Sequence, residues 1–449
     1  MSTLIRNGLV CFEDRIQHAD LLLRDARIAD VADVLAGDAD HIVEAEGAYV
    51  LPGLIDIHTH IADIIGGIPL ADDYRSGTRV AVENGITTIA TFVTESAGAR
   101  LESAVAAAQQ QARGESYADY WWHLTPTRFD REAWNAIDRL IEQGFRLFKF
   151  YTTYKGAGLY SDYDQLERIF ARLQGRGVQF LIHCEDDAAL ADIRLPAEEW
   201  RHPIAHARSR PPHAEILAIR EVLQCAERQQ AAVHIVHVST PDGVAAIRDA
   251  RTSVRVSCET APHYLFLDET WLERDDGHRW ICSPPLRSPQ MRAGMATLAV
   301  QGAIDLFATD HCAFRRSDKD GHSASIREVP HGIAGIGALP HLVFALFAES
   351  GHDPMLEVAR RVSANPARLL GAYPRKGVIQ PGADADLAIC RLSAAAQPVR
   401  SSLADVHETF PGVSSRLRFE HVFLRGQEVV RQGTLLNPGQ RRGRTLWPT

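Results

Sequence analysis

At 449 residues, 45% apolar and 23% charged, the chain has the size and composition of a large globular catalytic domain with a smaller companion. A net charge of -9 with no long basic run argues against a nucleic-acid partner. The absence of an 18-residue apolar stretch predicts no membrane span, and Met1–Gly8 lacks a secretory signal pattern. The seven cysteines are an odd number at scattered positions, which reads as reduced thiols in a cytoplasmic protein.

Short alternating runs over Thr3–Cys11, Ala19–Leu23, Ile28–Val31 and His41–Val43, broken by glycine and aspartate, predict a small β unit. After Pro52-Gly53 the texture changes to eight apolar runs. These are Leu54–His58, Thr87–Phe92, Asp119–Leu124, Leu147–Tyr151, Gln179–His183, Val233–Val238, Val254–Cys258 and Ile304–Thr309. Amphipathic stretches such as Arg75–Glu83, Leu101–Arg113, Arg131–Glu142, Tyr163–Gln174, Ala214–Arg228 and Pro289–Val300 separate them. Eight buried strands alternating with helices predict an α/β fold of the (β/α)8 barrel type. From Lys376 the short β runs return (Ala385–Cys390, His421–Leu424, Gln427–Arg431). The expected organisation is a barrel over 53–375 and a discontinuous β-sandwich domain made from 1–52 and 376–449. Arg441, Arg442 and Arg444 form a short basic cluster that reads as a solvated tail, and the glycines at 332, 335 and 337 follow no strand and read as loop.

A barrel places its chemistry at the C-terminal ends of its strands, and polar residues gather there. His58 and His60 close the first run. Alternate strand residues share a face, so the two imidazoles point the same way, as two ligands of one metal would. Lys149 interrupts the fourth run, His183 ends the fifth, His237 lies in the sixth and Asp310 follows the eighth. Any one of these has an ordinary explanation as a core histidine or a turn cap. A lysine inside an apolar strand has less of one, because a buried ammonium is penalised and tends towards the neutral, reactive amine. The set as a whole points to a metal centre in the barrel mouth.

With these residues in view, the sequence resembles the amidohydrolase superfamily in its cyclic-amidase branch of hydantoinases, dihydropyrimidinases, allantoinases and dihydroorotases. The likeness runs from the opening G-x-x-V-L-P-G-L-I-D-I-H-T-H to K-G-V-I-Q-P-G-A-D-A-D-L at Lys376–Leu387. It implies two divalent metals, with zinc as the expected ion and manganese or cobalt as alternatives. His58, His60 and Asp310 would hold one, His183 and His237 the other, and Lys149 would bridge them as a carbamate. A hydroxide shared by the metals would attack the amide or imide bond of a small cyclic substrate, with Asp310 taking its proton and returning it to the leaving nitrogen. Tyr154, in F-K-F-Y-T-T-Y-K-G, matches the tyrosine that donates to the oxyanion. Ser283, in I-C-S-P-P-L-R, matches the serine whose backbone holds the ring. Relatives of this branch are often dimers or tetramers, so a homo-oligomer is expected.

Within the branch, Ala62 and Asp63 stand where dihydroorotases carry an arginine for the substrate carboxylate. D-D-Y-R-S-G-T-R-V-A at Asp72–Ala81, H-A-R-S-R-P-P at His206–Pro212 and T-D-H-C-A-F at Thr309–Phe314 are similar to hydantoinases and dihydropyrimidinases. Pro330-His331-Gly332 departs from their P-N-G step, and I-A-G-I-G after it is closer to allantoinase, which makes His331 a candidate substrate contact. The expected activity is opening of a hydantoin- or dihydropyrimidine-like ring, with allantoinase- or dihydroorotase-like activity as the alternative. A non-catalytic scaffold of the dihydropyrimidinase-like kind would have lost ligand positions, all of which are filled here. A mononuclear deaminase-like enzyme would not need Lys149.

Overall fold

The computed structural model describes residues 2–96 and 98–447. The first five strands are β1 (Ser2–Cys11), β2 (Ile16–Arg24), β3 (Arg27–Ala32), β4 (His41–Glu44) and β5 (Tyr49–Pro52). The central part supplies β6 (Leu54–His60), the short hairpin β7 (Ile64–Ile65) and β8 (Ile68–Pro69), then β9 (Ile86–Thr94), β10 (Asp119–Thr125), β11 (Leu147–Tyr151), β12 (Gln179–His183), β13 (Ala232–Ile235), β14 (Arg255–Thr260), β15 (Leu306–Phe307) and β16 (His311–Cys312). The chain ends with β17 (Leu387–Pro398), β18 (Ser414–Leu424), β19 (Gln427–Arg431) and β20 (Thr434–Leu435).

All pairings in the central sheet are parallel, in the order β15-β14-β13-β12-β11-β10-β9-β6-β16. β15 and β16 are two pieces of one strand, the eighth, broken at Ala308–Asp310. The first piece pairs with β14 and the second with β6, so the sheet closes on itself as a barrel. Thr309 holds the break in place: its backbone N–H and its hydroxyl both donate to the buried Asp56 carboxylate, at 3.1 and 2.6 Å. The barrel strands read as near-continuous β-branched and aromatic runs because both faces are covered, and Trp121, Trp122, Phe148 and Phe180 are among the fully buried side chains. The helices between strands carry their own start signals. Asp73, Asp130, Asp162, Thr240 and Ser288 each cap a helix by accepting from a backbone N–H in its first turn.

The second sheet draws from both ends of the chain in the order β20-β19-β18-β17-β5-β1-β2-β3, with β4 on β1. Hydrogen bonding joins all nine of its strands, so the expected sandwich domain is built as one branched sheet. Its apolar face, with Ile5, Val10, Leu21, Val50, Leu387 and Phe423, forms a separate core. Lys376 stitches sheet to barrel: its ammonium donates to Asp119 at the start of β10 (2.9 Å) and to Asp386 just before β17, all three side chains being nearly inaccessible. The tail does not hang in solvent. Tyr120 donates to the Arg444 carbonyl (3.0 Å) and receives from Leu446 N–H (3.2 Å), and a Cβ on Gly443 would lie 2.0 Å from the Ala118 carbonyl oxygen. Among the described residues no helix is long and apolar enough to cross a membrane, and all seven cysteines are buried free thiols.

Candidate metal centre

Six side chains named from the sequence converge on the C-terminal end of the barrel. His58 and His60 leave β6 on the same face, Lys149 projects from β11, and His183 is the last residue of β12. His237 lies two residues beyond β13, and Asp310 sits in the break of the eighth strand. Both adopt left-handed backbone conformations, φ 38° and 49°, which non-glycine residues rarely take. Such local strain gathers at functional sites, where the surrounding packing holds it.

Asp310 Oδ1 lies 3.1 Å from His58 Nε2 and 3.3 Å from His60 Nε2. His183 Nδ1 faces His237 Nε2 at 3.0 Å. The ligating atoms of His58, His237 and Asp310 all fall within 4.8 Å of one another. That triad takes members from both of the ligand groups expected from the sequence. Burial pushes the Asp310 carboxyl up, but the imidazoles facing it outweigh this and hold it well below the usual carboxylate range. Burial drives the His237 imidazole well below its ordinary value, leaving it neutral.

At this centre two buried nitrogens, His237 Nδ1 and Lys149 Nζ, have no hydrogen-bond partner among the described residues, and His58 Nε2 faces only the Asp310 carboxylate. An orphaned buried polar atom is expensive, and nitrogen lone pairs gathered around a carboxylate are the donor set of a divalent metal. The residues present therefore fit a metal centre. Lys149 is fully buried, its nitrogen lies about 5 Å from the Phe92 and Tyr151 ring centres, and burial pushes its pKa down to about 8. Near neutral pH a usable fraction of it is the free amine.

The structure adds an outer layer that the sequence reading did not name. Glu259, at the end of β14, bonds His58 Nδ1 and also lies 3.1 Å from His234 Nε2. Glu185 accepts from His183 Nε2 at 2.8 Å and from the Arg210 guanidinium at 3.0 and 2.6 Å. Each carboxylate fixes which ring nitrogen of its histidine carries the proton and turns the other towards the centre. One available signal was position: Glu185 follows His183 by two residues.

The centre floors a cavity of about 820 Å3, rimmed by Ile64, Ile65, Leu159 and Val329. Tyr154, Ser283 and His331 line it as well. The Tyr154 ring lies 5.2 Å from the His183 ring and under the Arg210 guanidinium, also 5.2 Å away, and its backbone is left-handed. Burial raises its phenol to about 12 despite Arg210 and Ser283, so it stays a protonated donor. Ser283 Oγ is 3.0 Å from His331 Nδ1 and 3.3 Å from His206 Nε2, so its side chain, and not its backbone alone, belongs to the wall.

A model of the amidohydrolase family matches residues 49–429. The chain belongs to that family. It is 32% identical over 445 residues to a D-hydantoinase of Streptomyces coelicolor, covering 95% of this chain and 94% of the relative. A D-hydantoinase of Geobacillus stearothermophilus is 31% identical over 396 residues, covering 87% and 84%. Among solved structures, the dihydropyrimidinase of Brevibacillus agri superposes with a TM-score of 0.92 at 28% identity, over 99% of this chain and 98% of that one.

Proposed function

We propose that this protein is a binuclear metal-dependent hydrolase that opens the amide or imide bond of a hydantoin- or dihydropyrimidine-like ring. The observation that carries the reading is the meeting of four histidines, Asp310 and an unpartnered buried Lys149 at one end of a cavity large enough for such a ring. His58, His60, His183, His237 and Asp310 would hold two divalent ions, zinc by donor type, and Lys149 would join them as a carbamate formed by its neutral amine. When bound, the metals polarise the scissile carbonyl and make water nucleophilic near neutral pH.

The chain's own groups do the rest. Asp310, held ionised, accepts the proton of the attacking water and delivers it to the departing ring nitrogen. Tyr154 keeps its phenolic proton and donates a hydrogen bond to the oxygen that gains charge as the carbonyl becomes tetrahedral. Ser283 and His331, on the wall beside Tyr154, hold the ring edge, and the apolar rim sheds water from it. We assign the enzyme to the cytoplasm as a homo-oligomer, from its reduced thiols and its kinship.

The test is a hydrolysis panel of hydantoin, 5-substituted hydantoins, dihydrouracil, allantoin, dihydroorotate and simple cyclic imides, run alongside metal analysis. Ring opening of a hydantoin or dihydropyrimidine, lost on chelation and restored by Zn2+ or Mn2+, is the expected result. Protein that carries no divalent metal and gains no activity from added metal would overturn the reading.

A further inference from the structure

A second large cavity, of about 730 Å3, lies at the other end of the barrel, where β10 begins. It opens between the β2–β3 turn, the β18–β19 turn and the tail segment before Leu446, stretches far apart in sequence. Five arginines line it (Arg24, Arg425, Arg441, Arg442 and Arg444) against a single carboxylate, Asp25. This concentration of positive charge sits in a chain whose net charge is -9.

Two of the five are braced by the fold. Arg425 donates to the buried Asp119 carboxylate and to the Arg442 carbonyl oxygen. Arg441 donates to the Gly114 carbonyl oxygen at 2.6 Å, with the Glu115 carboxylate 3.5 Å away. The other three have no carboxylate partner among the described residues. Arg442 reaches only the Gln440 side-chain oxygen, at 2.7 Å, and Arg24 and Arg444 have neither a side-chain hydrogen bond nor an ion pair.

Guanidinium groups crowded around one concavity repel one another, and the concave wall focuses their field inward. An anion in the cavity reverses the sign of that energy. Guanidinium forks match phosphate oxygens two at a time, and three unpaired forks exceed what one singly charged anion can engage. A nucleic acid would call for an extended basic stripe, whereas these side chains line a half-open depression of small-molecule size.

We propose that this arginine-lined cavity binds a small anion carrying two or three linked phosphate groups, independently of the metal centre. The shared chemistry is the phosphate chain, whether free or attached to a nucleoside.

Calorimetric titration of the full-length, metal-loaded enzyme with inorganic tripolyphosphate, at fixed ionic strength, tests the proposal. The R442Q/R444Q double variant controls for chelation of the active-site metals, because both side chains are exposed and remote from that site. Saturable binding is expected, weakening with added salt and weaker by at least about tenfold in the double variant, with ring hydrolysis unchanged. ATP binding more tightly than tripolyphosphate would assign a nucleotide, and equal or weaker binding would assign the free phosphate chain. Absence of saturable binding, equal affinity in the double variant, or a change of oligomeric state in that variant would each overturn the proposal. The last result would mean that the arginines serve a subunit contact.

Discussion

Replacing Glu185 by glutamine tests the buried charge chain that links Arg210 to His183. The glutamate is inaccessible and accepts from His183 Nε2 at 2.8 Å and from Arg210 Nε and Nη2 at 3.0 and 2.6 Å. Glutamine keeps the shape and one acceptor but removes the charge, which leaves a largely buried guanidinium without its counter-ion. Removing one partner of a buried ion pair costs about 3–5 kcal/mol. Removing the carboxylate behind a ligating histidine weakens metal binding by roughly 10–100-fold. E185Q should therefore unfold at lower urea in metal-free protein and retain less metal after dialysis. The pH dependence has a definite sign. Burial raises the Glu185 carboxyl, but Arg210 and His183 outweigh it and hold it well below its ordinary range. Its stabilisation is fully present above the unfolded value of about 4.3 and is lost as pH falls through the lower folded value. The gap between wild type and variant should stay constant from about pH 8 to 5 and narrow only below about pH 4. Equilibrium unfolding across pH, with metal analysis of the dialysed proteins, measures both effects. A variant within about 1 kcal/mol of wild type at pH 7 that holds its metal equally well would refute the reasoning.

Lys149→Ala should lower metal content below two ions per chain and nearly abolish turnover, with partial rescue by short carboxylic acids; unchanged metal and activity would remove its bridging role. Tyr154→Phe keeps the ring against Arg210 and His183 but removes the oxyanion donor. Steady-state kinetics should show kcat down by about 10²–10³-fold with KM little changed. Lys376→Met should cost about 3–5 kcal/mol in urea unfolding, because it strips Asp386 of its ammonium partner and leaves Asp119 with Arg425 alone in the junction between sheet and barrel. Adding Asp386→Asn should recover part of that loss.

The barrel was legible because its strands are buried on both faces, so each appears as an unbroken apolar run whatever its partners. Leu147–Tyr151 and Gln179–His183 coincide with β11 and β12 residue for residue. The sequence misleads where backbone geometry departs from the run. Val233–Val238 stops being strand at Ile235 because the left-handed turn at His237 re-aims the chain, and Ile304–Thr309 keeps only Leu306–Phe307. In the second sheet, Ala385–Cys390 captured only the buried start of β17, whose outer half is exposed and lacks alternation. The histidines, Asp310 and Lys149 were visible because each is an anomaly at the end of or inside an apolar run. Glu259 and Arg210 were not singled out, since a charged residue in a loop or at a strand end is ordinary until its partner is known, and those partners are His58 and Glu185. The basic tail misled for the same reason: the bridge between Tyr120 and Arg444 joins segments more than 300 residues apart.

The broken eighth strand also orders events in time. Asp310 stands in the gap between the piece that pairs with β14 and the piece that pairs with β6, so the turn that closes the barrel is the turn that presents the carboxylate. During synthesis His60 emerges 250 residues ahead of Asp310, an interval of about 10–50 s at ordinary elongation rates. Throughout that interval the nascent chain carries histidines without their shared acidic partner. On the proposed reading, hydrolytic competence therefore arrives late, when strand eight docks on strand one and brings Asp310 to the histidines.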